Sequence, residues 1–246
     1  MIRVEGLRHQ FGDRVVLDEI SFEVSKGEVV AVMGASGGGK TTLLRILTGL
    51  LRPTAGVVRL FDTDLATARA DAIDRLRPRL GIVFQSAALF DFLSVFENVA
   101  FAPRRRERLR GDALKQRVVE KLALVGLQDT ENLMPDELSG GMRKRVAVAR
   151  ALATDPEILF YDEPTSGLDP VTRYSLDQLI RQVNDATGAT SIIVSHDLHS
   201  VLRLADRVLF LHQGRLLADE TVERFKDSSH PTIQEIIQKA ESETLA

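Results

Sequence analysis

The sequence predicts an α/β fold with a largely parallel sheet and a helical block inserted into it. Three observations carry this. Short apolar runs at residues 29–33, 80–84, 158–161 and 191–194 alternate with helical stretches, the pattern of buried strands joined by crossovers. The first of these runs enters a helix through a glycine-rich turn. Between Ser86 and Asp155 the β-branched runs thin out and helical spacing takes over. The chain has 246 residues, enough for one large domain, and 44% hydrophobic content supports a substantial core.

In chain order, residues 1–7 and 15–24 read as strands, joined by His9-Gln10-Phe11-Gly12-Asp13-Arg14. Phe11 suits two readings equally, a stacking platform for an adenine ring or a partly buried loop aromatic. Residues 28–33 form a buried strand. Gly34-Ala35-Ser36-Gly37-Gly38-Gly39-Lys40-Thr41-Thr42 follows and opens a helix at Leu43. Strand, glycine turn and helix closing on Lys-Thr is the context of a phosphate-binding P-loop. The glycines let backbone N–H groups point inward, and the helix end adds positive field. Lys40 supplies a point charge for the β- and γ-phosphates, and the Thr41 hydroxyl is a ligand for Mg²⁺.

After a turn at residues 52–56, residues 57–60 form a strand. Residues 67–77 read as an amphipathic helix stopped at Pro78, and residues 80–84 return as a strand ending at Gln85. In the helical block, residues 95–101, 112–125 and 139–152 read as helices. The basic run Arg104-Arg105-Arg106-Glu107-Arg108-Leu109-Arg110 is a solvated helix flank or a contact for acidic loops or lipid headgroups. Residues 158–161 are apolar and deliver Asp162 and Glu163 to a strand end, stopped by Pro164. This fits a Walker B strand, with Asp162 serving Mg²⁺ and Glu163 placed to polarise water.

Residues 170–186 form a helix with Asp169 near its N-cap. Residues 190–195 form another strand, ending at His196-Asp197. Residues 207–212 and 215–218 close a hairpin around Gln213-Gly214. In residues 219–246 acidic side chains outnumber basic ones seven to three. Ile233, Ile236 and Ile237 have helical spacing there, giving a tail helix docked on a partner or on the core, or a partly disordered tail.

Composition excludes several classes. A net charge of −3 argues against a chain built to hold nucleic acid. The absence of cysteine removes disulfides and thiolate metal sites. No signal-peptide pattern opens the sequence, and no apolar run approaches the ~20 residues of a membrane helix. A membrane role therefore works through partners.

The motif order resembles the ABC-type ATPases over nearly the whole chain. The decisive stretch is Leu138-Ser139-Gly140-Gly141-Met142-Arg143-Lys144-Arg145, similar to the family's signature. It opens a helix, so Ser139, Gly140 and Gly141 form a second anion site. The resemblance implies a P-loop NTPase (RecA-like) core, an antiparallel β subdomain and an inserted helical signature subdomain. In one ABC ATPase domain, residues 1–86 and 156–218 would be the core, 87–155 the helical subdomain and 219–246 an acidic tail. It implies a head-to-tail homodimer with ATP at the interface, so that Ser139, Gly140 and Gly141 serve the other subunit's nucleotide. Phe11 falls in the adenine-stacking loop. Gln85 matches the Q-loop glutamine, sensing Mg²⁺ and water and coupling to the membrane subunit. Glu163 matches the catalytic glutamate, Ser166-Gly167-Leu168-Asp169 the D-loop, and His196 the switch histidine at the γ-phosphate. Phe11 stands where Tyr is usual, Gly167 where Ala is frequent, and Met142 where Gln or Glu is usual.

Residues 133–142, 84–91 and 94–101 further resemble the ATPase subunit of Mla/Mce-type lipid transporters. This implies ATP and Mg²⁺ as ligands and a place on the inner face of the cytoplasmic membrane. The implied partners are integral-membrane permease subunits, an MCE-domain lipid-binding protein and, in some members, a STAS-domain protein. The alternatives are an importer ATPase for amino acids or another small solute, a soluble ABC protein outside transport, and a nucleotide sensor without turnover.

Overall fold

The computed structural model describes residues 1–35 and 37–244, so Ser36 of the glycine-rich turn lies outside the described residues. The elements run β1 (Ile2–Phe11), β2 (Arg14–Val24), β3 (Val29–Met33), α1 (Lys40–Leu47), β4 (Ala55–Leu60), β5 (Thr63–Asp64) and α2 (Ala70–Leu76). There follow β6 (Leu80–Val83), α3 (Val95–Ala102), α4 (Gly111–Leu124), α5 (Gly140–Leu152), β7 (Ile158–Asp162), α6 (Pro170–Thr187) and β8 (Thr190–Val194). The chain ends with α7 (Leu198–Leu204), β9 (Arg207–His212), β10 (Arg215–Thr221), α8 (Val222–Lys226) and α9 (Pro231–Thr244). The residues cluster into two compact units, Met1–Ile73 with Ile192–Ala246, and Asp74–Ser191.

The first unit holds an antiparallel sheet in the order β2-β1-β4-β5. Ile2, Val4, Leu7 and His9 of β1 are buried, and the register slips between Val4 and Leu7. Gly6 lies in that slip with φ 53, and a side chain at Gly56 of β4 would meet the Gly6 carbonyl at 2.3 Å. The bulge carries β1 through to Phe11, so the expected His9–Arg14 connection shrinks to a turn at Gly12 and Asp13. This unit also contains strands in the order β10-β9-β3-β8. All five residues of β3 are buried, and β3 runs parallel to β9. Ala31, Met33, Val208 and Phe210 pack with buried residues of α7, α8 and α9, covering an apolar face as parallel strands require. The two sheets meet where Asp18 N–H donates to the Gly214 carbonyl at 2.8 Å.

The tail docks on this unit's own core. Ile233 of α9 is buried with Met33, Val201, Phe210 and Phe225, and Ile236 and Ile237 pack against the same cluster. The preceding residues are also ordered, because β10 continues to Thr221 and the Thr221 hydroxyl caps α8.

In the second unit, β7 lies between β6 and the start of β8. β6 and β7 are parallel, with Val83 opposite Tyr161. Helices α3, α4 and α5 pack on one another, and Val99, Val118, Leu122 and Val146 on them are buried. The Asn98 side chain is fully buried and fully used. Its Nδ2 donates to the carbonyls of Phe90, Leu93 and Ser94, and its Oδ1 accepts from Phe90 N–H. This fixes the loop after β6 without regular structure. The arginine run is partly absorbed locally: residues 103–107 form a π-helical turn and Arg104 pairs with Glu97. The helix expected at 67–77 is shorter, and among the described residues no helix is long and apolar enough to cross a membrane.

Candidate active site

In the first unit, β3 delivers its buried end to Gly34, which has φ 149. A Cβ there would meet the Leu211 carbonyl oxygen at 2.0 Å, so only glycine fits. Gly39, with φ 100, precedes α1, and a Cβ there would meet Leu17 Cδ2 at 2.7 Å. Gly38 N–H donates to the Ala35 carbonyl at 3.1 Å, closing the loop on itself. Lys40 is buried under this loop, and its Nζ donates to the carbonyls of Gly34 at 2.7 Å and Ala35 at 3.0 Å. Thr41 and Gly37 are exposed and Thr42 is half-buried. The first N–H groups of α1 have no intrahelical acceptor, and no acidic side chain stands in that turn. The result is a concentration of donors and positive charge around a backbone cradle, which suits a polyphosphate.

His196 belongs to the same unit. Ser195 N–H donates to the Val32 carbonyl at 3.2 Å, so β3 and β8 leave the sheet side by side, one toward the glycine loop and one toward exposed His196. Asp197 caps α7 by accepting from Ser200 N–H at 3.1 Å. Phe11 lies on the other sheet, 52% exposed, with the buried His9 ring meeting it edge-on at 4.6 Å.

In the second unit, the parallel register of β6 and β7 sends Gln85 and the Asp162-Glu163 pair out of the same sheet end. Asp162 and Glu163 are half-buried, and Glu163 has φ 47, the left-handed region. Gln85 Nε2 donates to Ser166 Oγ at 3.2 Å, joining the residue after β6 to the segment after β7. Asp169 caps α6, accepting from Val171 and Thr172 N–H at 3.1 Å each. A side-chain hydrogen bond with Thr172, followed by these backbone bonds, holds its carboxyl below the usual range.

Ser139 caps α5, with its hydroxyl accepting from Met142 N–H at 3.2 Å. Ser139 and Gly140 are exposed. Gly141 lies so close to α6 that a Cβ would meet Thr172 Cγ2 at 2.7 Å. The turn is therefore an open helix N-terminus braced from behind by α6.

Two further residues of α5 escaped the sequence reading. Lys144 is buried and its Nζ donates to the Gln85 carbonyl at 2.6 Å. Burial lowers the pKa of its ammonium while Glu163 works to raise it. Arg150 donates to the carbonyls of Ala87 and Ala88. Helical spacing shows that both lie on α5, but nothing local shows which carbonyl a long basic side chain will find. Tyr161 is also buried, its hydroxyl has no hydrogen-bond partner among the described residues, and burial raises its pKa.

Comparison with known proteins agrees with these features. The family model described as ABC transporter matches residues 17–166. The intermembrane phospholipid transport system ATP-binding protein MlaF of Haemophilus influenzae is 40% identical, with the alignment covering 99% of this chain and 92% of that protein. The sulfate/thiosulfate import ATP-binding protein CysA of Xanthomonas campestris pv. campestris is 44% identical over 92% of this chain and 66% of its own length. A solved dimeric ATP-binding cassette, in a post-hydrolysis state bound to ADP and Pi, is 31% identical with a TM-score of 0.81. That match covers 90% of this chain and 99% of the solved one.

Proposed function

The chain belongs to the ABC transporter family, as an ATP-binding subunit that hydrolyses ATP, and from that premise we propose that it powers phospholipid transport between membranes. The observation that carries the cargo is the match to the MlaF relative along 99% of this chain. The stretches 133–142, 84–91 and 94–101 support the same subfamily.

The backbone from Gly34 to Thr42 cradles the phosphates of ATP, and Lys40 exchanges its loop carbonyls for phosphate oxygens. Phe11 stacks on the adenine. Thr41, Gln85 and Asp162 are the residues that would hold Mg²⁺. A hydroxyl, an amide oxygen and one carboxylate form an all-oxygen set, the hard ligands this ion prefers. When bound there, the ion would supply charge neutralisation on the phosphates. Glu163 orients a water for in-line attack on the γ-phosphorus. The bond to the β–γ bridging oxygen breaks, releasing ADP and phosphate, and His196 stabilises the γ-phosphate oxygens. Positioning and fixed charge do most of the work, as expected for phosphoryl transfer.

The open N-terminus at Ser139, Gly140 and Gly141 supports a head-to-tail homodimer in which each signature turn meets the other subunit's nucleotide, with Asp169 nearby. Residues 1–86 and 156–218 act as the core, and residues 87–155 as the lever toward the permease. The permease, an MCE-domain protein and a STAS-domain protein would hold the chain on the inner face of the cytoplasmic membrane. One observation favours a second reading, small-solute import: the sulfate/thiosulfate relative is 44% identical.

The test uses two variants. Lys40→Ala is expected to lose ATP binding, whereas Glu163→Gln binds ATP and stalls as a closed dimer. Tagged Glu163→Gln, extracted gently from membranes with Mg·ATP, should bring down a permease, an MCE-domain protein and phospholipid. A permease with a soluble solute-binding protein would move the cargo to small solutes. Rapid turnover by Glu163→Gln would refute the role given to Glu163.

A further inference from the structure

The helix that begins at the signature turn also holds the loop that carries Gln85. Lys144 sits five residues after Ser139, and its ammonium is buried against the Gln85 main-chain carbonyl at 2.6 Å. Glu163 is within electrostatic reach of the same ammonium. Farther along α5, Arg150 takes the carbonyls of Ala88 at 2.6 Å and Ala87 at 2.9 Å. Three carbonyls between Gln85 and Ala88 are thus held by two cations of α5, while the Gln85 side chain reaches Ser166 at 3.2 Å. A buried ammonium is costly unless its donors and its charge are both used. Here a main-chain oxygen takes the donor and a carboxylate at the end of β7 feels the charge.

We propose that Lys144 is a positioning residue for ATP hydrolysis, fixing the main chain of Gln85 to α5 so that the signature turn and Gln85 move as one body. The inference rests on the roles given to Gln85 and Glu163 above. It adds a route from the signature turn to the main chain of Gln85 within one subunit. Lys144 acts through the Gln85 main chain, so its loss should leave nucleotide affinity intact and misplace the groups that act in the transition state.

The experiment compares wild type, Lys144→Met and Lys144→Arg in the complex extracted with its membrane partners, reading Mg·ATP-dependent phosphate release and thermal stability. Methionine keeps the length and packing of the side chain while removing donor and charge. The expected loss in kcat for Lys144→Met is on the order of tenfold to a hundredfold. KM for ATP should stay within about twofold, the signature of an interaction made in the transition state. Arginine restores charge and donor and should recover most of the rate. Unchanged kcat in Lys144→Met, or an arginine variant as slow as methionine at equal stability, overturns the inference. If the methionine variant does not assemble, Lys144→Gln is read by the same criteria. A wild-type complex without ATP turnover would sink the hydrolysis reading itself, and this inference with it. Normal wild-type turnover with an unaffected methionine variant would sink this inference alone.

Discussion

Arg150 donates Nη1 to the Ala88 carbonyl at 2.6 Å and Nη2 to the Ala87 carbonyl at 2.9 Å, and both alanines are left-handed, with φ 63 for Ala87 and 48 for Ala88. A left-handed alanine costs about 1–2 kcal/mol. Two in succession persist because the guanidinium takes both carbonyls in one fork. Burial lowers the Arg150 pKa, and the Phe90 ring lies 5.8 Å from its carbon. Truncation at Arg150 therefore removes the clamp and leaves the strain. We expect Arg150→Ala to lose on the order of 2–3 kcal/mol, and Arg150→Lys to recover only part, since one ammonium cannot serve the fork. Urea unfolding measures this, and an unshifted midpoint for Arg150→Ala would show that the loop holds itself.

Such clamps mark where sequence reading stops. The P-loop, the buried strand before it, the acid pair after β7 and the cap at Asp169 were legible because each depends on residues adjacent in the chain. Helix α5 was legible from its spacing and from Ser139 at its cap. The reach of Lys144 and Arg150 was not, because their acceptors lie about sixty residues away in sequence. The continuation of β1 to Phe11 was missed because a bulge at Gly6 breaks the alternation that marks a strand. The tail was undecided because Ile233, Ile236 and Ile237 define an apolar stripe without saying what covers it. The structure supplies the cover in Val201, Phe210 and Phe225.

Glu163 stores backbone strain at the strand end. Its φ of 47 is unfavourable for any residue with a Cβ. The segment beyond it is held in part by Ser166 N–H, which donates to the Glu163 carbonyl at 3.1 Å. Glu163→Gly and Glu163→Ala both delete the carboxylate, so their difference isolates the backbone. The glycine variant should be more stable than the alanine variant by about 1 kcal/mol, the left-handed penalty offset by glycine's greater unfolded-state freedom. Both should be inactive in phosphate release. An alanine variant at least as stable as the glycine variant would mean that the strain is relieved elsewhere.

Phe11 is the site residue whose two sequence readings diverge most, and its surroundings favour a ligand platform. The ring is 52% exposed, too open to serve as core, and it stands at the end of β1 rather than on a free loop. The buried His9 ring meets it at 80° and 4.6 Å, an edge contact that restricts how Phe11 can turn. A platform oriented in advance contributes to binding without entering the chemistry. Loss of one base stack costs about 1–3 kcal/mol, so Phe11→Ala should raise KM for ATP roughly 5- to 150-fold. Its kcat should be nearly unchanged, because the ring meets ground state and transition state alike. Phe11→Tyr should bind ATP much as wild type does, since the stacking face is kept. Phosphate release measured across ATP concentration for the three proteins decides the matter. A fall in kcat at constant KM would place Phe11 in the closing motion rather than under the base, and the adenine assignment would fall.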